Sequence, residues 1–194
     1  MFEPIVVDME KLQLAISLPD LESVSNGSFI PLDSIMRSSL LEANFDAIFV
    51  SGLFPDQNRE LSQICAEKRV ELVVFENPSD DLVAVHDVVL NLADKLFSDE
   101  MPNNIDIADI RNINQSSNYL FAFNSKHSAL DFMETQDLGI VIGGVYLAHG
   151  NTELSEYEVT NRELRNHFSD NGFLCSSFHT LGRSECTILL GIKK

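Results

Sequence analysis

The segment from Asp81 to Leu96 constrains the fold of this chain more than any other. Leu82, Val85, Val89, Leu92 and Leu96 recur at three- and four-residue spacing, which is the period of one helix face. Val83, Val88, Leu90, Ala93 and Phe97 widen that stripe well past a single face. A helix this apolar must be shielded on several sides, so it is expected to run as a spine between two halves of the molecule. Asn77-Pro78-Ser79 breaks the chain before it and Pro102-Asn103-Asn104 breaks it after. The expected division is 1–80, then the helix over 81–99, then 100–194.

Ahead of the spine, short apolar runs alternate with helical patterns. Ile5-Val6-Val7 and Leu12 to Ile16 are strand candidates, and Leu21 to Pro31, with Asn26-Gly27, reads as a loop. Asp33 to Leu41 has helical spacing. Ala47-Ile48-Phe49-Val50 is a compact run that predicts a buried strand ending at Ser51-Gly52. Arg59 to Lys68 predicts a helix with Leu61, Ile64 and Cys65 inward, and Val70 to Phe75 a second strand. Strand, helix, strand with short connections predicts a parallel pair, because parallel strands need a crossover.

Beyond the spine, a helix is expected from Asp109, a strand over Tyr119 to Phe123, a helix over His127 to Met133 and a long strand over Leu138 to Ala148. Gly143-Gly144 lies inside that strand, where backbone can approach closely. Ser155 and Glu158 have capping-box spacing, and Asn171-Gly172 is expected to end the helix they open. Phe173 to Phe178 and Cys186 to Ile192 predict two strands joined at Leu181-Gly182-Arg183-Ser184. The expected class is α/β plus α+β: a reduced Rossmann-like first part and a second part with a mixed sheet.

The chain carries 30 acidic and 13 basic residues, a formal net charge of −17. A surface this negative repels phosphate backbones and anionic lipid, so neither nucleic acid nor direct membrane binding is expected. Hydrophobic residues make up 44%, enough for a packed core. Cys65, Cys175 and Cys186 are odd in number and sit in apolar stretches, which fits buried free thiols in a reducing cytoplasm. Met1 to Val7 has no signal-peptide pattern, and no apolar stretch has membrane-spanning length. The five histidines form no H-x-x-H or H-E-x-x-H pair, and no metal or cofactor is expected.

One constellation carries chemistry: Asn104-Ile105-Asp106-Ile107-Ala108-Asp109-Ile110-Arg111. Two carboxylates three residues apart at a helix start lie near one face and stay ionised there. Such groups can orient a water for attack on a phosphate. The same spacing also suits a plainer role, with Asp106 as the helix cap and Asp109 in its first turn.

This run resembles the synergy loop of the bacterial tubulin FtsZ, whose pattern N-x-D-x-x-D continuing to an arginine stands here as Asn104, Asp106, Asp109 and Arg111. The apolar helix before it resembles the FtsZ central helix. Leu138 to Ile142, Leu154 to Val159, His167 to Asn171 and Glu185 to Ile192 resemble, in order, the elements of the FtsZ C-terminal domain. Asp46 to Gly52 resembles the strand leading into the family's G-G-G-T-G-T-G signature, but Leu53-Phe54-Pro55-Asp56 follows instead. The early glycine-rich loop is also missing, and Met101 stands where the family's loop begins with glycine.

The resemblance implies a shortened FtsZ-like protein without its own GTP site or intrinsic GTPase activity. In the family the synergy-loop acids complete the nucleotide site of the next subunit, so Asp106 and Asp109 would act in trans. Asn104, Asp106, Asp109 and Arg111 would form the binding face. The implied partner is FtsZ or the chain itself, and the implied role is regulation of cell division. The chain ends just past its last strand pattern, so the tail through which FtsZ meets its tethers is not expected. The other reading is a small α/β nucleotide-binding or phosphoester-hydrolysing enzyme.

Overall fold

The computed structural model describes residues 11–36, 44–98 and 105–194. The expected strand at Ile5-Val6-Val7, most of the expected helix after Asp33, and Met101 and Asn104 lie outside these residues. Of the Asp33 helix, the described portion holds only a 3-10 turn over Leu32–Ser34.

The first sheet contains β1 (Leu14–Ser17), β2 (Ser28–Phe29), β3 (Ala47–Val50) and β4 (Glu71–Val74) in the order β2-β1-β3-β4. All its pairings are parallel. β1 and β3 are buried along their whole length, which explains why both read as unbroken apolar runs rather than alternating ones. The loop expected over Leu21 to Pro31 contains the short β2, too brief to leave a periodic signal. Helix α1 (Pro55–Lys68) crosses from β3 to β4 with Leu61 and Cys65 buried, and starts four residues before the Arg59 expected from periodicity. Proline at its first position supplies a preset φ where the missing N–H is harmless.

Helix α2 (Leu82–Leu96) is the spine. Asp81 caps it, accepting from the N–H groups of Val83 at 3.0 Å and Ala84 at 3.1 Å. Val85, Val88, Val89, Leu92 and Ala93 are buried in one cluster with Phe49 and Phe75 of the first half and with Leu120, Val145, Leu147 and Leu189 of the second. Each buried valine, leucine or phenylalanine side chain among them contributes about 1.5–3 kcal/mol.

The second sheet has β5 (Tyr119–Phe123), β6 (Ile140–His149), β7 (Phe168–His179) and β8 (Cys186–Lys193) in the order β5-β8-β6-β7. It is mixed as expected: β8 runs antiparallel to β5 and β6, and β7 runs parallel to β6. The two sheets touch at Glu76, whose N–H donates to Leu120 at 2.9 Å and whose carbonyl accepts from Ala122 at 2.8 Å.

Helices α3 (Ile107–Ser116), α4 (Lys126–Thr135) and α5 (Leu154–Arg165) complete the second half. α3 packs closely because Gly143 and Gly191, paired across β6 and β8, leave space for Ile113. α5 corrects two expectations. It begins at Leu154 after Glu153, with no side-chain cap bond, so Ser155 and Glu158 lie inside the helix rather than forming a capping box. It ends at Arg165, and Asn171-Gly172 falls within β7, where the register against β6 jumps between the Val141–Phe168 and Gly143–Phe173 pairs. The extra residues form an irregularity in the strand.

Candidate functional site

Two places matter: the start of α3, where the sequence puts its acidic constellation, and the carboxyl end of the first sheet, where open α/β folds bind ligands.

At α3 the structure brings Asp106 and Asp109 together. Asp106 is the N-cap, and its Oδ1 accepts from the N–H groups of Ala108 at 2.8 Å and Asp109 at 3.1 Å. Asp109 Oδ2 returns the bond, accepting from the Asp106 N–H at 3.0 Å. Both carboxylates thereby satisfy orphan donors at a helix end whose dipole favours negative charge. Asp109 Oδ1 takes a further bond from the Cys175 thiol on β7 at 3.3 Å. Burial, then that bond and the charges of Asp109 and Asp106, push the Cys175 thiol up to about 12, so it remains protonated and able to donate.

Arg111 pairs with a strand of the first sheet rather than with the two acids. Its Nε lies 3.5 Å from Glu71 Oε2 on β4. Glu71 also accepts from Asn114 Nδ2 at 2.7 Å and Gln115 Nε2 at 2.9 Å, so three α3 side chains converge on one carboxylate. Asn104 lies outside the described residues. Of the four residues singled out by pattern, the geometry thus joins two, separates one and leaves one undescribed.

At the other place, β1 and β3 are neighbours whose chains leave in opposite directions, toward β2 and toward β4. The crevice at such a switch point is the usual ligand site. Here it is filled. Gly52, with φ of +77°, is covered by Pro19, whose Cγ would lie 2.5 Å from a Cβ added to that glycine; Leu32 Cδ2 would lie 3.5 Å away. The α1 N-terminus that follows has two positions that offer no free N–H to an anion. The Phe54 N–H already donates to Gln57 Oε1 at 3.0 Å, and Pro55 has no N–H.

At this end of the sheet opens a cleft of about 380 Å³ lined by Ser51, Gly52, Leu53, Glu76, Asp80 and Leu82 among others. Burial pushes the Glu76 carboxyl above its usual value. Sequence reading missed Pro19, which reaches Gly52 across 33 residues, and the cleft-lining Glu76 and Asp80. The Phe54-Pro55 departure was visible in the sequence.

Among the described residues no group of three or more His, Cys, Asp or Glu side chains is placed to hold a metal ion, and no helix is long and apolar enough to cross a membrane.

No family model matches the sequence, and no curated protein matches it. Among solved structures, CetZ from Methanosaeta thermophila is similar with a TM-score of 0.50 at 13% identity, over 94% of this chain and 62% of that one. FtsZ from M. jannaschii is similar with a TM-score of 0.43 at 14% identity, over 77% of this chain and 56% of that one. The chain therefore spans less than two thirds of either protein. At such identity the likeness is one of fold, and the fold is FtsZ/tubulin-like.

Proposed function

We propose that this chain is a shortened FtsZ-like protein that regulates filaments by protein–protein interaction and has no GTP site of its own. The observation that carries the reading is the Phe54-Pro55 start of α1, which stands where a glycine-rich phosphate loop would be needed, in a chain whose α3 start still presents paired acids. A nucleotide bound in the family's manner would need several backbone N–H groups turned toward its phosphates at that loop. In this reading the Asp106–Asp109 end of α3 docks on the nucleotide face of an FtsZ subunit, which could then add no further subunit. Asp106 carries the interaction at its solvent-exposed position, and Asp109 holds it in place.

Two measurements test this. The chain should pellet with FtsZ filaments from the same cell, and calorimetric titration of the isolated chain with GTP, GDP or ATP should give no heat of binding. Micromolar nucleotide binding would instead support the enzymatic alternative. Absence of co-pelleting would remove the regulatory reading.

A further inference from the structure

A buried chain of hydrogen bonds ties the β7–β8 hairpin to the spine. The Ser184 carbonyl, 2.8 Å from His149 Nδ1, can only accept, so Nδ1 carries the proton. Nε2 is then the acceptor that faces Thr187 Oγ1 at 2.9 Å. Thr187 donates to the imidazole and accepts from Asn91 Nδ2 of α2 at 3.0 Å. Asn91 Oδ1 in turn accepts from Arg183 of the hairpin, at 3.2 Å from its backbone N–H and 2.9 Å from Nη1. Arg183 also reaches Asp94 Oδ2 at 2.7 Å, and Asp94 Oδ1 accepts from Asn26 Nδ2 in the β1–β2 loop at 2.8 Å. Asn91 and Thr187 are fully buried and His149 nearly so, which makes a lost partner costly.

We infer that protonation of His149 releases the Arg183 hairpin from α2, as a pH-sensitive clasp between the spine, the β1–β2 loop and the second sheet. The clasp does not rest on the filament reading. With Nε2 protonated, the imidazole donates to Thr187 Oγ1, and the threonine proton loses its acceptor. Asn91 can take that proton only by turning its amide, which sets Nδ2 against the two Arg183 donors. Gly182 of the hairpin packs directly against the ring. The charged and titratable groups that face the ring are His179 on β7, with ring centroids 5.9 Å apart, Asp87 on α2 and Arg183 itself. A charged imidazole repels Arg183, while Asp87, already bonded to Asn124 Nδ2 at 3.0 Å, offsets part of that.

Burial holds the imidazole below its usual value, so the closed clasp keeps it neutral. The open state, with the ring in water, takes up its proton near the ordinary value of about 6.5. The closed state is therefore fully favoured above that pH and loses ground as pH falls toward the lower closed value.

Hydrogen–deuterium exchange of the whole chain, read by mass spectrometry and corrected for the intrinsic pH dependence of exchange, tests this. Protection of the hairpin amides, Arg183 included, should fall about tenfold between about pH 7.5 and about pH 5. His149→Asn should remove that pH dependence, and His179→Asn should keep it. Arg183→Met should lower hairpin protection already at about pH 7.5 and leave it insensitive to pH. Circular dichroism checks that each variant folds. Unchanged hairpin protection in wild type, or an equal fall in His149→Asn, would overturn the proposal. So would a loss of protection spread over the whole chain, which would be global unfolding rather than release of the hairpin.

Discussion

Asp106 and Asp109 cap one another: the Asp106 carboxylate accepts from the Asp109 N–H at 3.1 Å, and the Asp109 carboxylate accepts from the Asp106 N–H at 3.0 Å. The same two residues thus support the fold and form the expected interaction face. The two roles separate by mutation. Asp106→Ala should cost about 1 kcal/mol in urea unfolding, the usual loss for an N-cap, while Asp106→Asn keeps an acceptor and should cost only a few tenths. If Asp106→Asn retains stability yet abolishes filament binding, charge at that position serves recognition.

His149 rests against Gly182, where an added Cβ would overlap the imidazole ring. His149 also sits in a directional chain. The Ser184 carbonyl at 2.8 Å can only accept, so Nδ1 carries the proton and Nε2 accepts from Thr187 Oγ1 at 2.9 Å. Thr187 in turn accepts from Asn91 Nδ2 of the spine at 3.0 Å. Gly182→Ala should therefore destabilise the protein by roughly 1–3 kcal/mol in denaturant titration, the range for forced overpacking. A change within experimental error would show that the ring can move aside freely.

The same histidine gives a pH dependence. Burial holds its imidazole below the usual value, opposed by the Ser184 bond, with His179 and Arg183 lowering it further and Asp87 raising it. As pH falls through about 6.5 the unfolded chain takes up the proton first, so the unfolded state gains relative to the folded one. The His149 contribution is complete above that pH and is lost progressively toward the lower folded value. Urea midpoints compared at about pH 7 and about pH 5 should fall less in His149→Asn than in wild type. Parallel falls would assign the loss to carboxylates alone.

Ile113 Cγ2 would lie 2.6 Å from a Cβ at Gly191. Gly191→Ala should therefore destabilise the α3 packing, and Ile113→Ala alone should cost about 2–5 kcal/mol as a cavity. In the double variant the new methyl enters the vacated space, so the two losses should sum to more than the combined loss. Simple additivity in the cycle would mean that the helix shifts instead.

How much of this was legible depended on how local each signal was. β3, α2 and β6 are long or wholly buried runs, and their apolar patterns announce them. Asp106 and Asp109 were read both as cap and as chemistry, and the structure realises the cap. Ser155 and Glu158 misled because their three-residue spacing occurs inside a helix as readily as at its start. Asn171-Gly172 suits a strand irregularity as well as a helix end. The placement of β6 between β7 and β8, and the Pro19–Gly52 contact, depend on residues far apart in sequence, which no local pattern encodes. Arg111 failed to join the acids because Glu71, on a strand distant in sequence, holds it.

The most direct measurement is light scattering of FtsZ from the same cell, assembled with GTP, with and without this chain. Wild type at equal concentration should reduce the assembly signal, and Asp106→Asn with Asp109→Asn should restore it. An unchanged signal with wild type and an unchanged rate of GTP hydrolysis would contradict the account.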